Sequence, residues 1–516
     1  MAQFTSFQKP SPVQLKVKRP AAVLDTLSAA TSAQQEAVDR IGQLFDVSVE
    51  RLEDISRGFQ NEILKGLEED GQEVMMLPTF VTGYPTGREK GTYLALEISG
   101  LDINVCYVRL TGTPSDLSIH QHQYQIPDSF KDEDDFEVLS DYVADCLAEF
   151  LEKIEMSSQD LFMYSMAMSI GFPLQQIRLN EGLLKEAAHG FSFRNSIGKE
   201  VVSMFHHSFD QKGLNVRIVA IVNDSVCTLL ANAYRYPNTR IGIVHDIGTN
   251  CSYYERNTHA KKARRTSVSG PSEITSALSS LDLKKSCTED EIVNTEWGGF
   301  DNSRTQLPFT WYDRQLDRLS QKLHFYQFEK MTAGAYLGEL VRLVITHLID
   351  LGVLFSGESS PALNASYAFD TTYLYVCEAD ESPELDDTTF ILEKMMGLSD
   401  TTLGDRQVVK KVCEIIGTRA AKLVAALTAG ALRRIKSDDG VGVPKNGLTI
   451  TVSGDLYESY PSFHKRMTDT LHLLMDDDLR QKVQVLPIEH SRLVGTCIVA
   501  MMVDRQKQEN DTQMTL

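Results

Sequence analysis

The chain has 516 residues, 42% of them hydrophobic and 24% charged, which is enough for two or three domains with large cores. A formal net charge of −20 excludes bulk electrostatic binding to nucleic acid or to an anionic membrane surface. Cysteines 106, 146, 227, 251, 287, 377, 413 and 497 are scattered, with no C-x-x-C pair and no Cys/His cluster. That spacing fits reduced intracellular thiols and predicts neither a metal site nor a disulfide framework.

Residues 1–24 lack Asp and Glu but carry Lys9, Lys16, Lys18 and Arg19 with no apolar segment after them. They predict a disordered tail, with an organellar presequence as the alternative. From residue 25 to 75 the pattern is helical, with Ile41, Leu44, Phe45, Val49, Leu52, Ile55 and Phe59 at helix spacing. Three extended runs follow, TYLALEISG, INVCYVRLTG and SIHQHQYQI. The acidic segment DEDDFEVLSDYVADCLAEFLEKI reads as a helix with a negative first turn, which suits the helix dipole.

LFMYSMAMSIGFP and VRIVAIVND read as buried strands, and SVCTLLANAY as the helix after the second. IGIVHDIG, SYYER and LTITVSG are further strands. VRLVITHLIDLGVLF is the most apolar run noted, but His347 and Asp350 interrupt it. It is shorter than the ~18 residues of a span, so it predicts a buried helix and no membrane span. Strands alternating with helices indicate an α/β architecture. No solenoid or propeller repeat is present. Residues 257–291 start basic and end acidic and should form a surface loop; 504–516 should be a disordered tail.

Several segments, in order and spacing, resemble the eukaryotic hexokinase family over roughly residues 40–503. They are FVTGYPTGREKGTYLALEISG, NEGLL, VNDSVCTLL, GTNCSYYE, NTEWGGFDN, LPFTWYDRQLD, QFEKMTAGAYLGELVRLV and SGDLYESYPSFHKRM. The resemblance implies a two-domain α/β fold, with actin-like, ribonuclease-H-like sheets closing on sugar and ATP in the cleft between them. Its expected divisions are an N-terminal helical unit (25–75) on the large domain, a small domain (76–223, completed by 484–503) and a large domain (224–483).

In family register, Asp224 matches the catalytic base, and Asn223, Asn250, Glu296 and Glu329 match sugar contacts. Read without the resemblance, Asp224 is a helix N-cap and the two glutamates are solvated surface acids. Other positions depart from the family. The serine before Phe-Pro is Gly171, and the segment supplying a threonine and a lysine to the sugar is Ala187-Ala188-His189-Gly190-Phe191. The first phosphate loop reads Glu97-Ile98-Ser99-Gly100-Leu101-Asp102-Ile103-Asn104, without the family's threonine and arginine. The second reads Asp246-Ile247-Gly248, so Asp102 and Asp246 put carboxylates where phosphate oxygens are expected. Gly454 remains in the adenosine segment, whereas the last glycine turn is His490-Ser491-Arg492-Leu493.

The resemblance therefore implies a half-kept sugar site beside a degenerate nucleotide site. The expectation is an atypical fungal hexokinase-like pseudoenzyme that regulates the carbon-source response and secreted-protease expression through a protein partner still to be identified. It would bind hexose weakly and need no cofactor; the alternative is an active kinase for glucose, fructose or mannose with Mg-ATP. No direct nucleic-acid contact is expected. The expected location is intracellular and cytoplasmic, with nuclear or mitochondrial association as alternatives. Arg264-Arg265-Thr266-Ser267 matches a basophilic-kinase pattern and makes Ser267 a candidate phosphosite; a solvated loop and a short nuclear import signal are the other readings of that patch.

Overall fold

The computed structural model describes residues 27–154, 163–186, 191–256, 290–488 and 492–514, with side chains as far as 508. The N-terminal tail, Ala187 to Gly190, Ser267 with nearly all of its loop, and His490-Ser491 lie outside the described residues. The strands are β1 (Leu77–Thr82), β2 (Lys90–Ser99), β3 (Asp102–Thr111), β4 (Leu117–Gln125), β5 (Tyr164–Ile170), β6 (Leu174–Arg178), β7 (Glu181–Leu184), β8 (Val216–Val222), β9 (Thr239–His245), β10 (Thr249–Arg256), β11 (Asp290–Asn294), β12 (Leu448–Ser453) and β13 (Val483–Pro487). Around them lie helices α1 (Ser32–Phe45), α2 (Val49–Glu68), α3 (Glu137–Lys153), α4 (Val201–Gln211), α5 (Asp224–Ala233), α6 (Gln327–Thr332), α7 (Gly334–Asp350), α8 (Leu403–Lys436) and α9 (Arg492–Met514).

Two sheets repeat one plan. In the small sheet, ordered β4-β3-β2-β5-β8, an antiparallel meander β2-β3-β4 is extended by β5 and β8 running parallel to β2. In the large sheet, ordered β1-β11-β10-β9-β12-β13, the meander is β9-β10-β11 and the parallel pair is β12 and β13. β1 joins antiparallel to β11. The repeat escapes sequence inspection because it resides in strand order, and many apolar strands satisfy the same order.

Each sheet's last strand leads into a helix that packs on the other sheet. α5 follows β8 yet lies against β9, β10 and β12; α9 follows β13 yet lies against β2, β3 and β5. The two helices cross closely at Gly495, where an added Cβ would lie 1.9 Å from the Cys227 carbonyl oxygen. Only glycine allows that approach.

This crossing refines the domain limits. α5 starts at Asp224, directly after the last strand of the small sheet, and packs on the large sheet. Residues 77–82, placed with the small domain from sequence, form β1 of the large sheet. Residues 483–487 likewise form β13 of the large sheet, so the returning segment begins with α9 at Arg492. The tail expected at 504–516 is helical as far as Met514, held by Arg505 on Glu89 and the Tyr84 carbonyl, and by Gln506 on Thr82.

The predicted N-terminal helical unit is two helices because Thr31 and Ser48 each cap a separate start, accepting from the N–H of Gln34 and Arg51. Both pack on α8, the core helix of the large domain. α8 is long and apolar enough to cross a membrane, but 83% of its most apolar window is buried in the protein. Two ion pairs anchor the surrounding core, Arg419–Asp313 and Arg434–Glu255, each at 2.7 Å with side chains no more than 3% exposed. The seven described cysteines are buried and unpaired.

Candidate functional site

A cleft between the two sheets receives the ends of β2, β8, β9 and β12 and the N-termini of α5 and α9. One part of it, about 590 Å³, is lined by residues including Glu97, Asn104, Asp246, Gly454, Asp455 and Arg492. That size suits a small-molecule ligand, for which pockets are typically ~300–1,000 Å³.

At one end, Asn223 terminates β8 and caps α5: its Oδ1 accepts from the Ser225 N–H at 2.9 Å and the Ser225 hydroxyl at 2.7 Å. Asp224 is the first helical residue and does not cap, which corrects the structural alternative raised for it. Its carboxyl is pushed above the usual range by burial, and Arg492 opposes that shift.

Next to the cap, the Asn250 amide donates to Asn294 Oδ1 and Glu296 Oε1, both at 2.9 Å, and to Asn223 Oδ1 at 3.3 Å. The Asn294 amide donates to the same Glu296 oxygen at 2.7 Å. Glu296 holds a left-handed backbone (φ 53°, ψ 44°), uncommon for a side chain with a Cβ and found where surrounding contacts over-determine the fold. Burial raises its carboxyl, and the two amides partly offset this. Glu329, on α6, accepts from the Thr249 N–H at 3.1 Å. Its carboxyl is pushed up to about 7 by burial, with the charge of Glu296 adding to the shift. Gly248 makes room for it, since a Cβ there would lie 3.0 Å from Glu329 Oε2. The two glutamates are therefore partly or largely buried members of a polar cluster, not solvated surface acids.

At the other end, the β2–β3 turn runs from Ser99, paired with Asp102, through Gly100 at φ +62°. Asp102 does not stand free: its Oδ1 accepts the Gln123 amide at 2.8 Å and the Gln125 amide. Glu97 accepts from Asn104 at 3.2 Å, and burial raises its carboxyl. The equivalent turn of the large sheet is Asp246-Ile247-Gly248, closed by Asp246 N–H to the Gly248 carbonyl at 2.9 Å. Ile247 is 70% exposed at its tip. Gly454 packs against this turn, and a Cβ on it would lie 2.3 Å from the His245 carbonyl oxygen.

Between the two ends, Arg492 Nη1 lies 3.5 Å from Asp224 Oδ2, and its Nε lies 3.9 Å from Glu97 Oε1. Burial works against its charge, but Glu97, Asp224 and Asp246 together hold the guanidinium protonated. Among the described residues, no three His, Cys, Asp or Glu side chains converge to hold a metal ion by themselves.

Family models described as hexokinase match residues 37–234 and 240–502. The chain belongs to the hexokinase family. It is 30% identical over 475 residues to Hexokinase-1 of Schizosaccharomyces pombe, covering 92% of each chain. Hexokinase-1 of Saccharomyces cerevisiae is 29% identical over 508 residues, covering 96% of this chain and 98% of that one. A solved structure of hexokinase from Schistosoma mansoni complexed with glucose is similar with a TM-score of 0.75 at 29% identity, covering 91% of this chain and 100% of that one. The architecture is the two-domain hexokinase fold, in agreement with the actin-like class expected from the sequence.

Within this hexokinase fold, the residues named from sequence divide into the two groups just described. Asn223, Asp224, Asn250, Glu296 and Glu329 gather at one end, and Glu97, Asp246 and Gly454 line or flank the other. Sequence reasoning omitted Asn294 and passed over Arg492 as a site residue. Asn294 ends β11, two residues before Glu296, and only the left-handed turn at Glu296 brings their side chains together. Arg492 carried no local signal either, because its partners Asp224 and Glu97 lie 268 and 395 residues before it in the chain.

Proposed function

We propose that this hexokinase-family chain binds a hexose in the cleft but transfers phosphate poorly or not at all, and acts as a regulator. The observation that carries this reading is the contrast in charge at the two ends. The amide–carboxylate cluster of Asn223, Asn250, Asn294, Glu296 and Glu329 offers both donors and acceptors, as sugar hydroxyls require. The opposite end sets Glu97 and Asp246 near one cation, Arg492, which Glu97 already shares with Asp224 of the first end. A triphosphate entering there would meet carboxylates in place of cations and hydroxyl donors, so these residues fit a sugar better than a nucleotide.

Each lost donor or cation typically costs ~2.7–4 kcal/mol of transition-state stabilisation. Two such losses slow turnover by roughly four orders of magnitude. Asp224 cannot restore that, because a general base contributes only ~10²–10⁴-fold and acts once the phosphate is in place. The regulatory role follows from an intact fold with a ligand end kept and a reaction end changed. The carbon-source response and secreted-protease expression are the processes we assign to it, exerted through a protein partner.

A second reading has one observation in its favour. Asp224 is free of capping and has a cation beside it, so a slow ATP-dependent hexose kinase using Mg-ATP is the alternative. A coupled assay of purified protein with Mg-ATP and glucose, fructose or mannose separates the two. Turnover that Asp224→Ala abolishes sinks the regulator without kinase activity. Absence of turnover together with calorimetric binding of glucose supports it.

A further inference from the structure

We propose that the end of the small sheet remote from the cleft holds a binding site for a small phosphate monoester. One face of this sheet carries Leu94, Leu96 and Ile98 of β2 and Ile103 and Val105 of β3 into the apolar core. The period of two continues that face outward to Thr92 and Lys90 on β2 and to Arg109 and Thr111 on β3. Register then sets Lys90 opposite Thr111, Thr92 opposite Arg109, and Arg109 opposite Ser118 of β4. These five side chains, with Asp116 at the margin, line a hollow of about 580 Å³.

Lys90 and Arg109 are diagonal neighbours, a placement that brings side chains on one face to about 7–8 Å. Like charges so placed repel unless a counter-charge lies between them. Among the described residues neither has a carboxylate partner, although the chain has 71 acidic against 51 basic residues. The hydroxyls of Thr92 and Ser118 are also without hydrogen-bond partners among the described residues, and Thr111 donates to the Asp116 carbonyl at 2.9 Å. Two free cations and two free hydroxyls thus face one hollow.

That set matches a phosphate group. A guanidinium takes two phosphate oxygens side by side, an ammonium adds a point charge, and hydroxyls donate to the remaining oxygens. The overall charge of −20 disfavours an anionic membrane or a nucleic acid, so the ligand is a small ester. The hollow is the electrostatic opposite of the cleft and stands at the other end of β2 from Glu97. It does not depend on the function proposed for the cleft.

Calorimetry on the full chain at low salt tests the site, with inorganic phosphate and glucose 6-phosphate as probes. Saturable binding is expected, weakened about tenfold or more by Arg109→Gln and by Lys90→Gln, and less by Thr92→Val. Arg492→Ser, which alters the cleft, should leave it unchanged. Thermal melts check that each variant folds, and both charged positions are exposed. The proposal is overturned by an absence of saturable heat at millimolar probe, by binding that survives both charge removals, or by binding lost only in Arg492→Ser. It is equally overturned if chloride matches phosphate, since the face would then merely collect counter-ions.

Discussion

The two ends of the cleft lie on the same sheets yet solve opposite problems. At the Asn250–Glu296 end, each buried carboxylate is answered by amide or backbone donors, and the charges are spread through a hydrogen-bonded cluster. At the Glu97–Asp246 end, the carboxylates act on a single guanidinium, Arg492, which also faces Asp224 of the first end, and across longer separations. The lesson is that one cleft can hold carboxylates in two settings, answered by amides at one end and by a single shared cation at the other. The first end is built for a ligand that both gives and takes hydrogen bonds, the second for one that brings positive charge or none.

Reversing the second end should give the largest effect. Asp246→Gly together with Ile247→Thr removes a carboxylate and returns a hydroxyl to the turn. Turnover with glucose and Mg-ATP is expected to rise on the order of 10²-fold in a coupled assay. An unchanged rate would mean that the charge contrast does not limit phosphate transfer.

The next effect concerns protons at the first end. Glu329 titrates at about 7 in the folded protein against an ordinary value of 4.5. Between those two values the folded state holds a proton that the unfolded state has lost, so stability falls as pH rises through that window and levels off above it. The total is on the order of 3 kcal/mol. Glu329→Gln keeps an acceptor for the Thr249 N–H and should flatten the slope, as measured by denaturant unfolding at pH 5 and pH 8.

A smaller effect is expected from Glu296→Ala, which leaves the Asn250 and Asn294 amides without their shared acceptor. Glucose affinity measured by calorimetry should drop about tenfold or more. Smallest of all, Asn223→Ala removes the cap of α5 and should cost about 1 kcal/mol in unfolding experiments. Asp224→Ala should cost less, since Asp224 is not the cap and gives up only a partly exposed 3.5 Å contact with Arg492. Equal losses from both would return the capping role to Asp224.

The fold was largely legible because strand and helix periods are local properties. TYLALEISG, VRIVAIVND and LTITVSG each fall within or across the strands they predicted, β2, β8 and β12. Domain limits were less legible where a strand crosses to the other sheet, as β1 and β13 do, because pairing partners leave no local mark. At the site, motif register marked Asn223, Asp224, Asn250, Glu296 and Glu329, which the fold brings together. The engagement of Asp102 by Gln123 and Gln125 was invisible, since it depends on β3–β4 register. Arg492 was equally hidden, its position beside Asp224 set by two helices crossing from opposite sheets.

That crossing has a mechanical consequence. Asp224 and Arg492 are the first residues of α5 and α9, the helices that meet through Gly495. In any hinged body, points near the axle travel least and points at the rim travel most. If the sheets swing about this contact, the Asp224–Arg492 pair keeps its spacing while residues farther from Gly495 sweep through larger arcs. The electrostatic setting of Asp224 is therefore geared to the pivot, and it should stay nearly constant however wide the jaws stand.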